Sequence, residues 1–406
     1  MQDHATRLVG LDGLVVTGVQ RTGERLDLQV ESVARAVGCP YCGGSEVRVK
    51  ERPRVRVRDL PIAGRLTRLV WRKRRYRCVG CARTFTETHE QLPARRRVTV
   101  RFRARLAERV VDGAAHAEVA REEYTSRYQV ARAFADRAKE REACDVDRPR
   151  RLSLDEAHHR RGHELATVVS DLDRRCVIEV LDGRDRRTVE RWLSALPAEV
   201  RGAIEVVSID PYDAYRYAIR AALPHARIVC DRFHLVRGAN AALDAVRRER
   251  QRHKARRPKG ARRSGQHAAW RPELYRARHR LLTARERLNE RERRRLSELF
   301  ERDPIIAEAW GLKEAYRVIY RADDRHEAER RLELFLAAVE RAGLPAFDAF
   351  ANGVRLWREE LLAYFDEPTT NGYAEGVINK VKVIKRRAYG IPTFTAFRQR
   401  VLLACR

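Results

Sequence analysis

The sequence predicts a mixed α/β fold with two small modules ahead of it and an all-helical segment inserted within it. Three observations carry that prediction. Two C-x-x-C pairs, Cys39/Cys42 and Cys78/Cys81, fall in the first 92 residues. From Arg151 the pattern changes to three strand-like runs, followed by alternating helix-like and strand-like runs as far as Cys230. From Arg237 to about Phe365 the chain is highly charged and helix-rich before a new apolar stripe begins at Val377. The division expected is 1–92, 93–148 and 149–406, with the insertion at about 237–368.

A chain of 406 residues with 44% hydrophobic content can bury a sizeable core in the largest of two or three domains. Its 86 Lys+Arg against 57 Asp+Glu leave +29. That excess favours a polyanionic partner through counterion release. The basic residues are overwhelmingly Arg and Ala is abundant, as GC-rich coding would give, but such drift would enrich Asp and Glu to match. No run reaches the roughly 18 to 20 apolar residues that span a bilayer. The start Met1-Gln2-Asp3-His4 lacks the basic-then-apolar order of a secretory signal. A cytoplasmic, nucleoid-associated protein without a membrane partner is expected.

In the first module each C-x-x-C knuckle offers two thiolates at the spacing of a tetrahedral zinc site, and Gly43, Gly44 and Gly80 permit the tight turns beside them. A zinc ribbon with one structural zinc on Cys39, Cys42, Cys78 and Cys81 is the expectation. Val47 to Arg58 and Leu66 to Arg77 interleave β-branched residues with Arg, so one face of each expected strand is positive. The site can staple a domain with too little core, contact DNA, or do both. Cys144, Cys176, Cys230 and Cys405 lack such partners and read as ordinary buried thiols.

After the basic stretch Arg95-Arg96-Arg97, a helical region runs from near Val100 to about Lys139. Ala115, Val119 and Ala120, then Ser126, Val130 and Phe134, fit two short helices joined by a turn, with Ser126 capping the second. That is the outline of a helix-turn-helix, in which Arg127, Gln129 and Arg132 would face the major groove. Plain helix packing gives the same pattern.

In the third region the strand-like runs are Leu152 to Glu156, Leu165 to Ser170 and Cys176 to Leu181. A helix fits Arg186 to Leu196, a strand Ile204 to Ile209, a helix Tyr212 to Leu223 and a last strand Ala226 to Cys230. A three-strand meander followed by alternating helices and strands is the order of an RNase H-like (retroviral-integrase-like) core. That fold sets one acid on its first strand and a second at the end of its fourth, where Asp155 and Asp210 stand. Phosphodiester cleavage needs an attacking oxygen activated and a leaving oxygen stabilised, which two hard cations roughly 4 Å apart can do. Carboxylates from distant segments suffice to hold such ions. A lone Asp at a strand end can instead be a turn cap.

The charged segment, with a basic stretch at Arg247 to Arg263 and anchors Trp270, Trp310 and Trp357, reads as the all-helical insertion. Beyond it Thr370 or Asn371 can cap a helix whose stripe Val377, Ile378, Val381 and Ile384 docks on the sheet. Glu375, Asn379, Lys382 and Arg386 form the neighbouring polar face. Glu375 can reach the metals while the cations behind it hold phosphates; a solvated charged face is the alternative. Asp231 rivals Asp210 for a metal-binding place and is ranked below it. His234, one turn into the following helix, is read as holding the strand end or contacting DNA near the scissile phosphate.

These residues resemble the ISL-three family of bacterial insertion-sequence transposases, a branch of the DDE class. The resemblance covers nearly the whole chain: the paired knuckles, Arg58-Asp59-Leu60-Pro61, Arg75-Tyr76-Arg77-Cys78, Leu154-Asp155-Glu156, Asp231-Arg232-Phe233-His234, Asn371-Gly372-Tyr373-Ala374-Glu375-Gly376, Asn379-Lys380 and Lys385-Arg386-Arg387-Ala388-Tyr389-Gly390. It implies that the DDE acids are Asp155, Asp210 and Glu375. It also implies binding of terminal inverted repeats by the ribbon and helix-turn-helix, and a magnesium-dependent cut-and-paste reaction. Two magnesium (or manganese) ions per active site are expected, with Asn379, Lys382, Lys385, Arg386 and Arg387 on DNA and a homodimer or higher oligomer on the paired ends. His158 and His159 fit no pattern and receive no role. The rival expectations are an inactive or domesticated zinc-ribbon regulator and an RNA-processing nuclease of the same fold.

Overall fold

The computed structural model describes residues 4–34, 38–93, 97–142, 148–159, 164–252, 272–369 and 372–405. Arg95, Arg96, Cys144, Trp270, Thr370 and Asn371, and most of the basic stretch read at 247–263, lie outside the described residues. The chain divides into two compact units, the first made of Met1–Asp145, Val383–Pro392 and Gln399–Ala404, the second of Val146–Lys382, Thr393–Arg398 and Cys405–Arg406.

The first unit opens with α1 (His4–Val9), β1 (Leu14–Thr22) and β2 (Arg25–Ser32), the two strands joined at Gly23, whose φ of 55° suits a residue without Cβ. There follow β3 (Val47–Glu51), β4 (Arg54–Arg58), β5 (Leu66–Arg72), β6 (Arg75–Cys78) and β7 (Thr84–Thr86). They form two sheets, ordered β1-β2-β5-β4 and β3-β6-β7. The two long strands expected at 47–58 and 66–77 are each broken, and the halves join different sheets. Pro53 has no N–H to give a ladder and separates β3 from β4. Between β5 and β6, Arg74 is buried; it donates to the Ala34 carbonyl at 2.9 Å, and its own N–H donates to Glu87 at 2.6 Å, fixing the chain where it changes sheet. The four-stranded sheet has its own core of Leu28, Val30, Leu69 and Trp71, alternate residues of β2 and β5.

Three helices follow, α2 (Val100–Val111), α3 (His116–Glu122) and α4 (Arg127–Glu142). Thr99 Oγ1 accepts from the Phe102 N–H and caps α2, and Ser126 Oγ accepts from the Gln129 N–H at 3.2 Å and caps α4, as expected of it. Phe102, Leu106, Val110, Val119, Val130 and Phe134 pack as one core.

The second unit carries β8 (Arg151–His158), β9 (Leu165–Asp171), β10 (Cys176–Leu181), α5 (Arg186–Ala195), α6 (Ala198–Ala203), β11 (Val206–Ile209), α7 (Asp213–Ala222) and β12 (Arg227–Cys230). The sheet order is β10-β9-β8-β11-β12, antiparallel through the meander and parallel from β8 to β12. Helix α6 was not foreseen, and β11 begins at Val206 rather than Ile204. Leu152, Leu154, Val207, Ile209, Ile228 and Cys230 face one way into a core shared with Leu193 and Tyr215.

The helical segment comprises α8 (Arg232–Arg252), α9 (Pro272–Leu282), a 3-10 turn at Arg285–Arg287, α10 (Glu290–Arg302), α11 (Pro304–Ile319), α12 (Arg325–Ala342), α13 (Pro345–Leu356) and α14 (Arg358–Asp366). Its apolar residues, from Leu243 to Leu362, belong to the same continuous core as the sheet. The opposite sheet face is covered where Val206 and Val229 meet Ala363 and Tyr364. Helices α15 (Gly372–Arg387) and α16 (Phe394–Ala404) close the chain. Among the described residues no helix is long and apolar enough to cross a membrane.

Candidate active site and zinc centre

Strand register builds the candidate active site. Leu154 of β8 lies beside Ile209 of β11, and Ile209 beside Cys230 of β12. The residue after each, Asp155, Asp210 and Asp231, therefore stands at the same end of three adjoining strands, and the Asp231 N–H extends the ladder to the Ile209 carbonyl at 3.0 Å. Because Leu154, Ile209 and Cys230 face the large core, alternation turns all three carboxylates to the other side. Helix α8 starts at the next residue, so His234 comes round one turn later above Asp231.

His234 Nδ1 is 3.1 Å from Asp231 Oδ2 with hydrogen-bond direction. The same nitrogen is 2.7 Å from Asp210 Oδ1, but that approach lacks hydrogen-bond direction and leaves Oδ1 a buried oxygen with no hydrogen-bond partner. Asp155 Oδ1 accepts from the Glu156 N–H at 2.6 Å. Burial, reinforced by the charge of Asp210, pushes the Asp155 carboxyl up to about 6. Burial works to lower His234, but the contacts to Asp210 and Asp231 outweigh it and hold the imidazole up at about 9. The cluster is thus short of positive charge. One ligand atom each of Asp210, Asp231 and His234 lies within 4.8 Å of the others, a compass suited to a cation, and the orphaned Asp210 oxygen is free to bind one. Asp231, ranked below Asp210 from sequence, belongs to this close group.

Glu375 is exposed on the first turn of α15 and lines a cavity of about 740 Å³ whose wall also includes Asp231. Asp155 and Asp210 are not in that wall. The link between Glu375 and the strand-end acids runs through Asp231. Also lining the cavity are Asn240, Arg287, Arg317 and Arg321, drawn from three further segments with no local motif to announce them.

On α15 the stripe of Val377, Ile378, Val381 and Ile384 is buried, and Asn379, Lys382 and Arg386 are exposed. From Val383 onward the helix belongs to the first unit. There Ile384 and Arg387 lie against the α2–α3 corner, where a Cβ on Gly113 would be 3.4 Å from that of Arg387. This corrects the expectation that the whole stripe docks on the catalytic sheet. Arg387, expected on DNA, donates to the Asp112 carbonyl at 2.6 Å and so satisfies the end of α2. Lys385 is half-buried. On α4, Arg127 and Arg132 are exposed and Gln129 is half-buried. His159 is buried, its ring 5.5 Å from that of Phe394 and 5.8 Å from that of Phe397, a packing role.

The four knuckle cysteines converge in the three-stranded sheet. Cys39 and Cys81 sulfurs are 3.7 Å apart, and Cys42 and Cys78 sulfurs 3.6 Å. A tetrahedron with Zn–S of about 2.3 Å has edges of about 3.8 Å, so the residues fit zinc without movement. Against the opposing effect of burial, the N–H groups of Tyr41 and Cys42 bring Cys39 down to about 7. At Cys42 the Gly44 N–H lowers the thiol, but three neighbouring sulfurs prevail and raise it to about 11. Four crowded thiols ionise together only around a cation.

Residues 152–401 match the family model of the ISL3 DDE transposases, described as "Transposase", and residues 35–81 match the "zinc-finger of transposase IS204/IS1001/IS1096/IS1165". The chain belongs to the ISL3 transposase family. Among curated relatives, the "Transposase for insertion sequence element IS1001" of Bordetella parapertussis is 29% identical over 372 residues, 91% of this chain and 88% of the relative. The "Transposase for insertion sequence element IS1557" of Mycobacterium tuberculosis is 32% identical over 277 residues, 64% of this chain and 61% of the relative.

Proposed function

We propose that the chain is the transposase of an insertion sequence, which binds the terminal inverted repeats of its element, cleaves DNA strands there and joins them to target DNA. The single observation that carries the reading is the strand register that lines Asp155, Asp210 and Asp231 up at one sheet end, on the order β10-β9-β8-β11-β12 of an RNase H-like core. In this reading the regions 1–92 (zinc ribbon) and 93–148 (helix-turn-helix, with Arg127, Gln129 and Arg132) bind repeat DNA, and 149–406 performs the chemistry.

Asp155, Asp210 and Glu375 are the catalytic acids and hold two magnesium or manganese ions per active site. When bound, the ions supply the positive charge that stabilises the attacking and leaving oxygens of a phosphodiester. Asp231 orients His234, and His234, 2.7 Å from Asp210 Oδ1, holds that carboxylate in place for a cation. Asn379, Lys382, Lys385 and Arg386 hold phosphates; Arg387 contributes through the α2 end that it caps. Cleavage frees a 3′-hydroxyl, which then attacks a target phosphodiester and displaces its 3′ oxygen. Acting on two ends calls for a homodimer or higher oligomer, working in the cytoplasm on nucleoid DNA.

Purified protein is incubated with labelled DNA from the flanks of its own gene, with magnesium and with chelator, and nicks and joined products are scored. Metal-dependent nicking at the element end and its loss in Asp155→Asn, with repeat binding kept, are expected. A variant that still cleaves with magnesium removes Asp155 from the site, and repeat binding without any cleavage favours the DNA-binding regulator.

A further inference from the structure

The cavity beside Asp231 and Glu375 has a construction that the carboxylates do not explain. Its volume of about 740 Å³ lies within the range of about 300–1,000 Å³ usual for small-molecule sites, and far exceeds what a hydrated ion needs. Asn240, on α8 two turns beyond Phe233, is among the lining residues, and its Oδ1 is buried with no hydrogen-bond partner among the described residues. A buried carbonyl oxygen left unpaired is destabilising, and an N–H from a ligand that reached it would relieve that. Flat apolar surface is present in Tyr320 and in Phe233, 53% of which is exposed. Arg317 and Arg321 also line the wall, each with an Nη2 2.9 Å from Glu286, while Arg287 is exposed and has no ion pair among the described residues.

Each feature asks for part of one ligand. Phe233 and Tyr320 offer planes on which a nucleobase stacks. Asn240 Oδ1 only accepts, so it takes an N–H from the pairing edge of a base. Arg287 is a guanidinium free to take a phosphate. The two carboxylates on the wall, Asp231 and Glu375, repel a phosphate and so orient the base inward and the backbone toward Arg287. A base paired in a duplex can present neither its faces nor its pairing edge to such a space.

We infer that this cavity holds one unpaired nucleotide of the DNA strand beside the catalytic carboxylates, with the pairing edge of its base against Asn240 and its phosphate on Arg287. The inference deepens the reading of the chain as a DNA strand-transfer enzyme and rests on it for the identity of the ligand.

The test uses the full-length protein and a single-stranded DNA pentamer with a central 5-iodocytosine, photo-crosslinked and mapped by peptide mass spectrometry. Crosslinks are expected on peptides containing Phe233, Asn240 or Tyr320. The yield should fall about tenfold when the pentamer is annealed to its complement. In Asn240→Leu and in Arg287→Glu the yield should drop about tenfold. Crosslinks confined to other surfaces of the wild-type protein, or equal yields from the single strand and its duplex, overturn the inference even if neither variant folds. A separate arm, cleavage of element-end duplex, reads the transposase proposal: its failure with cavity crosslinks intact sinks that proposal alone.

Discussion

His234 Nδ1 stands 2.7 Å from Asp210 Oδ1 while its hydrogen bond goes to Asp231, so one imidazole serves two carboxylates. That relationship sets how the protein responds to pH without a divalent ion in the site. The folded imidazole titrates near 9 against an ordinary 6.5, so between those values the folded state binds more protons than the unfolded one. The stabilisation is complete below pH 6.5 and is lost as pH rises through about 9. With the side chain 20% exposed, the loss is expected to be about 2–3 kcal/mol. Urea unfolding of wild type and His234→Gln at pH 6 and pH 9.5, in buffer without magnesium or manganese, measures it. A wild-type-minus-variant difference that does not shrink with pH contradicts the assignment.

Removing zinc should dissect the first unit rather than unfold it. Cys78 ends β6 of the small sheet and the other three cysteines lie in the turns flanking β3 and β6, whereas the four-stranded sheet has a core of its own that includes no cysteine. Cys39→Ser is expected to lower bound zinc from one per chain to well below it, by elemental analysis, and to speed amide exchange across β3, β6 and β7. Exchange at Leu28, Val30 and Leu69 should stay slow. Equal loss of protection in both sheets would show that the ribbon supports the whole unit.

Salt should reveal which arginines meet phosphate. Arg127 and Arg132 are exposed on α4, in a chain of net charge +29. Each phosphate contact contributes about one to the slope of log K against log salt. Arg127→Ala and Arg132→Ala should each flatten that slope by about one for repeat DNA, whereas Arg387→Ala, whose guanidinium caps α2, should lower thermal stability more than it alters the slope. Unchanged slopes for both α4 variants would take that helix off the DNA.

What could be read from the sequence follows from how local each signal is. The cysteine knuckles, the Ser126 cap and the strands carrying Asp155 and Asp210 are set by neighbours a few residues away, and the structure has them there. The break at Arg74 was not legible, because its cause is a buried ion pair with Glu87, 13 residues on. Asp231 was legible as a rival only, since its standing depends on the pairing of β11 with β12. The fate of Arg387 depends on Asp112, 275 residues earlier. The cavity around Asn240 is assembled from α8, the 3-10 turn, the end of α11 and the start of α15, and no window of sequence contains it.

That cavity has one further dependence, on Lys313. The side chain is fully buried in α11; its Nζ donates to the carbonyls of Leu281 and Thr283 at 3.0 Å each and pairs with Glu314. Burial lowers its pKa, yet these partners leave the ammonium well served. The carbonyls it holds belong to the chain that leaves α9 and enters the 3-10 turn, the stretch that supplies Leu282, Thr283, Ala284 and Arg287 to the cavity wall. Lys313→Met preserves volume but strands two carbonyls, while Glu314 keeps Arg317 and the Arg285 N–H, at an expected cost of about 2–4 kcal/mol. Denaturant midpoints measure the loss, and faster amide exchange at Arg287 and Leu288, whose N–H groups bond back to Ala284 and Arg285, should report that the turn has loosened. A variant as stable as wild type would mean that water replaces the ammonium without penalty, and that the cavity wall stands without it.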